Sequence, residues 1–167
     1  SGKEVFWENS WGRSNSSEVV FRPRLRKAIE SLNKNLPSEA VSAVIEEIIR
    51  DRSAMNPVLV NQEIHKLLKE GVTVTWRNKD GEECSEKARV IDWENPKKND
   101  FFLAQQMWVT GELYKKRCDL IAFVNGIPLV FIELKKSSVN VEHAFNDNLK
   151  DYKNNTIPQL WWHNAFI

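Results

Sequence analysis

Apolar residues recur at helical spacing up to about residue 70 and at strand spacing beyond it. From Pro23, which suits a first helical turn, Leu25, Ala28, Ile29 and Leu32 fall on one stripe. After Pro37-Ser38, the residues Val41, Val44, Ile45, Ile48 and Ile49 recur at i, i+3, i+4, i+7 and i+8, the strongest helical signal in the chain. Asn56-Pro57 falls in the break that follows. A third helix is expected from about Asn61, read as its N-cap, through Ile64, Leu67 and Leu68 to Gly71 at its C′ position. The residues before this helical part, 1–20, are polar and read as a flexible lead-in, with "GRSNSS" its most open stretch.

After Gly71 the period becomes two. "VTVTWR" and "KARVIDW" read as strands joined through a loop containing Asp80-Gly81, and "DFFLAQQMWVT" reads as a third. A hairpin follows, with strands at about 119–124 and 128–135 around Asn125-Gly126, then a helix over about 140–154, then a strand opening at "QLWWHNAFI". Helices, an antiparallel meander and a helical crossover imply an α/β fold, a mixed β-sheet flanked by helices with extra N-terminal helices. The expected layout is a single domain, 1–167, with a helical part at 21–70 and the sheet at 71–167. The final strand pattern is still apolar at Ile167, so the chain is expected to be cut from something longer, with Ser1-Gly2 a cloning remnant.

Composition narrows this only a little. The chain's 167 residues, 41% hydrophobic and 28% charged, suffice for one domain with a real core. No run approaches the roughly 18 apolar residues needed to span a bilayer, so no membrane partner is expected. Two cysteines, Cys84 and Cys118, form neither a disulfide framework nor a metal-ligand pattern, which points to a reducing, cytoplasmic compartment. His65, His143 and His163 stand at no metal spacing with one another or with a cysteine. The net charge of +1 names no partner. "RPRLRK" (22–27) reads first as a solvated helix face, although one basic face is enough for phosphate binding. A P-loop motif is absent from the sequence, so the chain has no ATPase of its own.

The hairpin carries the one unexpected pattern. Its second strand runs apolar and then ends in Glu133-Leu134-Lys135-Lys136. Alternation puts Leu129, Phe131, Glu133 and Lys135 on one face and Val130, Ile132 and Leu134 on the other. Such a tripeptide reads first as a salt-bridged strand end that has reached solvent. Asp119, at the start of the preceding strand, adds a second acid. Two acids converging on a divalent cation, with an ammonium beside them, are the residue types of a metal-dependent nuclease. Register decides between these readings. With a plain two-residue turn at Asn125-Gly126, Asp119 pairs with Ile132 and points away from Glu133. An odd-length loop or a bulge returns it to Glu133's face, and Pro128, which cannot donate to a ladder, favours such an irregularity.

The pattern D-x(n)-E-x-K at a strand hairpin resembles that of PD-(D/E)XK nucleases. "FVNGIPLVFIELK" followed by "AFNDNLKDY", together with "SEVVFRPRLRKAIESLN", "GVTVTW" and "NDFFLAQQMWVTGELYKKR", resembles the amino-terminal nuclease domain of the R subunit of type I restriction–modification enzymes over nearly the whole chain. The resemblance implies a restriction-endonuclease-like core in which Asp119, Glu133 and the backbone carbonyl of Leu134 hold Mg²⁺, and Lys135 orients the attacking water and stabilises phosphate charge. Asn148 and Tyr152, four apart on the following helix, would contact DNA or support the site. Glu63 is a further acid of the kind some related nucleases recruit, though a solvated helix Glu is the simpler reading. Two departures stand out: Cys118 occupies the position of the motif's proline, and Asn148 stands where the family often has Gln.

The function implied is metal-dependent hydrolysis of double-stranded DNA after ATP-driven translocation by helicase-like motor domains absent from this fragment. ATP would serve those motors alone, and the methylation (M) and specificity (S) subunits would be the partners. Two alternatives stay open at this point, a non-catalytic DNA-binding or assembly module and the nuclease domain of another helicase–nuclease system.

Overall fold

A computed structural model describes residues 12–138, 142, 145 and 149–163. Three helices come first: α1 (Arg22–Leu32), α2 (Ser38–Ile49) and α3 (Pro57–Glu70). Strands β1 (Val72–Arg77) and β2 (Glu83–Ala88) form one antiparallel pair. Strands β3 (Phe101–Thr110), β4 (Lys115–Val124) and β5 (Ile127–Ile132) form a second antiparallel sheet in that order. A single apolar core joins the helices to the inner faces of both sheets. None of the described helices is long and apolar enough to cross a membrane.

The helices bury the stripes that their spacing predicts. Leu25, Ala28 and Ile29 of α1 are buried, as are Val41, Val44, Ile45 and Ile48 of α2. The start of α3 differs from expectation. Asn56, not Asn61, is the N-cap: its side chain accepts a hydrogen bond from the Val58 N–H, and Pro57 takes the first turn, where its missing N–H costs nothing. Gly71 ends the helix at φ 91, as expected, with its N–H donating to the Leu67 carbonyl.

Two other departures have local causes. β2 covers 83–88 rather than 87–93 because the Asn33 side chain takes over the backbone of Arg89, accepting from its N–H and donating to its carbonyl at 2.8 Å each. Val90 and Ile91 then turn into the core. Residues 12–20 are no loose lead-in either. The Asn15 side chain accepts from the N–H groups of Ser17 and Glu18, Arg13 donates to the Trp108 carbonyl, and Val19 and Val20 are buried.

The C-terminal part differs most. The described strands pair only antiparallel, and the expected strand from Gln159 begins instead as a 3₁₀ turn, Pro158–Trp161. Pro158 cannot donate to a ladder, while Leu160 and Trp161 reach the core directly from the turn. Residues 164–167 lie outside the described residues, as does most of 139–148, so the expected helix at 140–154 is seen only toward its end, where Tyr152–Thr156 is π-helical.

Candidate active site

The β4–β5 turn has Asn125 at φ 53 and Gly126 at φ 80, both left-handed, as a two-residue type I′ turn requires. Gly126 has a second reason to be glycine: a Cβ there would lie 2.6 Å from the Phe21 carbonyl oxygen, where α1 begins. The buried Asn125 side chain locks the turn by donating to the Val90 carbonyl and accepting from the Asp100 N–H.

From this turn the register runs Val124 opposite Ile127 and Phe123 opposite Pro128, then slips. Leu129 is left over, and Ala122, Ile121 and Leu120 face Val130, Phe131 and Ile132. This is the bulge that the residue pattern requires, and it sits beside Pro128. Without it Asp119 would face Ile132. With it, the next residues along the two strands, Asp119 and Glu133, carry the same parity, nearer than the diagonal arrangement expected from an odd-length loop.

The side chains follow. The Leu134 N–H donates to Asp119 Oδ2 at 2.8 Å, which ties the Asp119 carboxylate to the Glu133–Leu134 peptide. Lys135 Nζ donates to Glu133 Oε1 at 3.2 Å. Glu133 retains 11% of its side-chain exposure and Lys135 28%, so the carboxylate is mostly covered while the ammonium stays nearer to solvent. Burial, then the negative charges of Glu133 and Asp119, push the Cys118 thiol up to about 12. The Tyr152 hydroxyl is also pushed up to about 12, first by burial and next by Glu133. Both groups register one concentration of negative charge at this strand end.

Tyr152 is buried, its ring edge-on against Phe131 at 6.2 Å, with Lys116 Nζ 5.1 Å from its centroid. Asn148 lies outside the described residues. Glu63 is engaged elsewhere, accepting from Arg50 at 2.6 Å and Arg52 at 2.9 Å. Burial raises its pKa, but the bonds and charges of the two arginines outweigh that and hold it below the ordinary carboxylate value. The "RPRLRK" arginines are also occupied: Arg22 pairs with Glu46, Arg24 with Asp100, and Arg26 bonds Ser42. On the outer side of β4, by contrast, Lys115 and Arg117 flank the Trp108 ring at 4.9 and 5.9 Å.

One participant was not read from the sequence. Gln106 Nε2 donates to Asp119 Oδ1 at 3.0 Å. In β3 and β4, Gln105 pairs with Leu120 and Met107 with Cys118, but Gln106 and Asp119 between them do not pair through the backbone. The available signal was apolar spacing. Ala104 and Met107, and likewise Cys118 and Ile121, are buried three residues apart where strict alternation allows two or four.

The donor set suits a hard divalent cation. Asp119, Glu133 and the Leu134 carbonyl offer only oxygen, and each Asp119 oxygen accepts one hydrogen bond, leaving lone pairs over. Among the described residues no group of three His, Cys, Asp or Glu assembles that could hold a metal ion by itself. Lys135 contests Glu133 Oε1 and has to share it.

Comparison with known proteins gives a consistent result. The sequence model of one family, type I restriction enzyme R protein N terminus, matches residues 1–167. The chain is 35% identical over 164 residues to the type I restriction enzyme HindI endonuclease subunit of Haemophilus influenzae, covering 96% of this chain and 15% of that protein. It is 31% identical over 157 residues to the putative MjaIXP endonuclease subunit of Methanocaldococcus jannaschii, covering 89% and 14%. A 57-residue stretch is 39% identical to the SsaAORF53P endonuclease subunit of Staphylococcus saprophyticus, covering 34% and 6%. The chain thus spans about a seventh of the length of the first two relatives.

Proposed function

We propose a nuclease function from one premise: this chain belongs to the family of type I restriction enzyme R protein N termini. In this reading it is the endonuclease domain of an R subunit, with a restriction-endonuclease-like core, and it hydrolyses phosphodiester bonds of double-stranded DNA. ATP-driven translocation and assembly with M and S subunits belong to the longer protein of which such a domain is part. The observation that supports this most is the bulged register, which ties the Asp119 carboxylate to the Glu133–Leu134 peptide while Lys135 reaches Glu133.

Asp119, Glu133 and the Leu134 carbonyl would hold Mg²⁺, which when bound supplies Lewis acidity and a more acidic water. Lys135 would orient the attacking water and offset charge gained by the phosphate. Tyr152, buried against Phe131, would support the site from the core side. Lys115 and Arg117 lie on the strand leading to Asp119 and can engage backbone phosphates, so DNA affinity should fall steeply with salt.

The test places Asp119→Ala and Lys135→Ala in the full-length R subunit assembled with its partner subunits. Plasmid cleavage should be lost while ATP hydrolysis continues at the wild-type rate. Cleavage that survives in both variants would reject this assignment of the site.

A further inference from the structure

We propose that Gln106 is a positioning residue for Asp119: a left-handed backbone in mid-strand delivers its side-chain amide to the acid from the β3 side. This rests on the nuclease reading of Asp119 given above.

The backbone is the first observation. Gln106 stands at φ 56 in the middle of a ten-residue strand, one of two residues other than glycine with positive φ among those described; the other, Asn125, sits in a tight turn that demands it. A β-carbon makes this conformation unfavourable, and Gln, unlike Asn, has no short side chain to soften it. The second observation is the interrupted ladder. Gln106 and Asp119 stand opposite each other but do not form a ladder pair, although the pairs on either side, Gln105–Leu120 and Met107–Cys118, hold register. The third is the side-chain bond from Gln106 Nε2 to Asp119 Oδ1 at 3.0 Å.

Stability does not account for this arrangement. The amide is solvent-exposed, where water competes for the same bond and the net gain is small, while strain and lost pairing both cost stability. Geometry accounts for it better. The Leu134 N–H holds Oδ2 from the β5 side, and Gln106 holds Oδ1 from the β3 side. Two donors on opposite oxygens fix the plane of the carboxylate and aim its remaining lone pairs. Partners that orient a ligating carboxylate typically matter about 10- to 100-fold in metal affinity.

The strain supplies the test. Glycine accepts positive φ without penalty, so Gln106→Gly removes the amide and relaxes the backbone together; Gln106→Asn keeps an amide of shorter reach in a residue that tolerates the left-handed region. Mn²⁺ is titrated calorimetrically into wild type, Asp119→Ala and both Gln106 variants, and each is melted without metal. Wild type should bind, Asp119→Ala should not, and both Gln106 variants should bind about tenfold more weakly or worse, with Gln106→Gly melting at or above the wild-type temperature. A structural role predicts instead that melting temperature and affinity fall together, and that result overturns the proposal. Binding within about twofold of wild type in the Gln106 variants also overturns it and leaves the metal reading of Asp119 intact. Wild-type binding that is absent, or that survives in Asp119→Ala, removes that reading and the role of Gln106 with it.

Discussion

Two groups of charged side chains in this protein use the same chemistry to opposite ends. Between α2 and α3, Arg52 is fully buried, with every branch of its guanidinium engaged: Nε on Glu63 at 2.9 Å, Nη2 on the Glu47 carbonyl at 2.8 Å, and Nη1 on the Arg50 carbonyl at 2.9 Å. Arg50, Arg52, Glu47 and Glu63 balance, two charges against two, and the cluster also satisfies carbonyls that the end of α2 leaves over. At the β4–β5 end, Asp119, Glu133 and Lys135 do not balance, and the Cys118 thiol and Tyr152 hydroxyl beside them are pushed up first by burial and then by the negative charge of Glu133. A neutral, saturated cluster can only hold the fold. In the proposed function the acid-rich strand end would instead hold a cation, and that would separate structural from chemical use of Glu and Asp.

The comparison can be broken in four places, ranked by their effect on stability. Arg52→Met strips two carboxylates and several carbonyls of their shared donor, and should lower unfolding free energy by about 3–5 kcal/mol in chemical denaturation. A loss under about 1 kcal/mol would mean that the cluster is not structural.

His163 reports on the same region through pH. It is buried, with Nε2 2.9 Å from the Ile48 carbonyl oxygen. Burial lowers its pKa, the Ile48 carbonyl opposes that, and Arg52 adds to it, leaving the folded value at about 4 against an ordinary 6.5. The unfolded chain therefore binds the proton more readily. The contribution of His163 to stability should be constant above about pH 6.5 and decline as pH falls from there toward 4, by up to about 3 kcal/mol. Urea melts across that range should show the decline, and His163→Gln should flatten it; an unchanged slope in the variant assigns the effect to other groups.

Asp119→Ala tests the other region. It removes one of the two acids and leaves the Leu134 N–H and the Gln106 amide open to water. Unfolding free energy should move by less than about 1 kcal/mol, while calorimetric Mn²⁺ binding disappears. Lys135→Ala should be smaller still, within about 0.5 kcal/mol, because the partly exposed pair contributes little. Its Mn²⁺ affinity should stay equal or tighten once Glu133 Oε1 is released from the ammonium, even as cleavage is lost. Weaker Mn²⁺ binding would make Lys135 a support of the acids rather than a participant in the chemistry.

Much of this was legible beforehand. Helical stripes, the Gly71 stop and the strand β1 follow from periodicities of 3.6 and 2 that local residues impose by themselves. Asp119, Glu133 and Lys135 could be singled out because an acid–x–lysine at the end of an apolar strand breaks alternation visibly. The bulge beside Pro128 could be required from parity, since proline cannot serve the ladder. Gln106 could not be placed, although its neighbours carried a trace. The spacing of Ala104 and Met107 shows that alternation fails there, yet nothing in β3 alone names the residue across the ladder. Arg52 was equally silent: one arginine in a loop looks solvated until α2 and α3 close around it.

The sequence by itself thus determined what the helices and most strands become and which charges stand out of pattern, because backbone preference and burial periodicity are short-range; at 12–20, 89–93 and 158–161 tertiary contacts overrode it. Tertiary structure alone decided which charges are neutralised and which meet. Glu63 and Glu133 are the same residue type. The first faces two arginines across a helix pair, and the second faces an aspartate's strand across a bulged hairpin. Electrostatic character at a carboxylate is set by what other elements bring to within a few ångströms of it, and that is known only once the chain has packed.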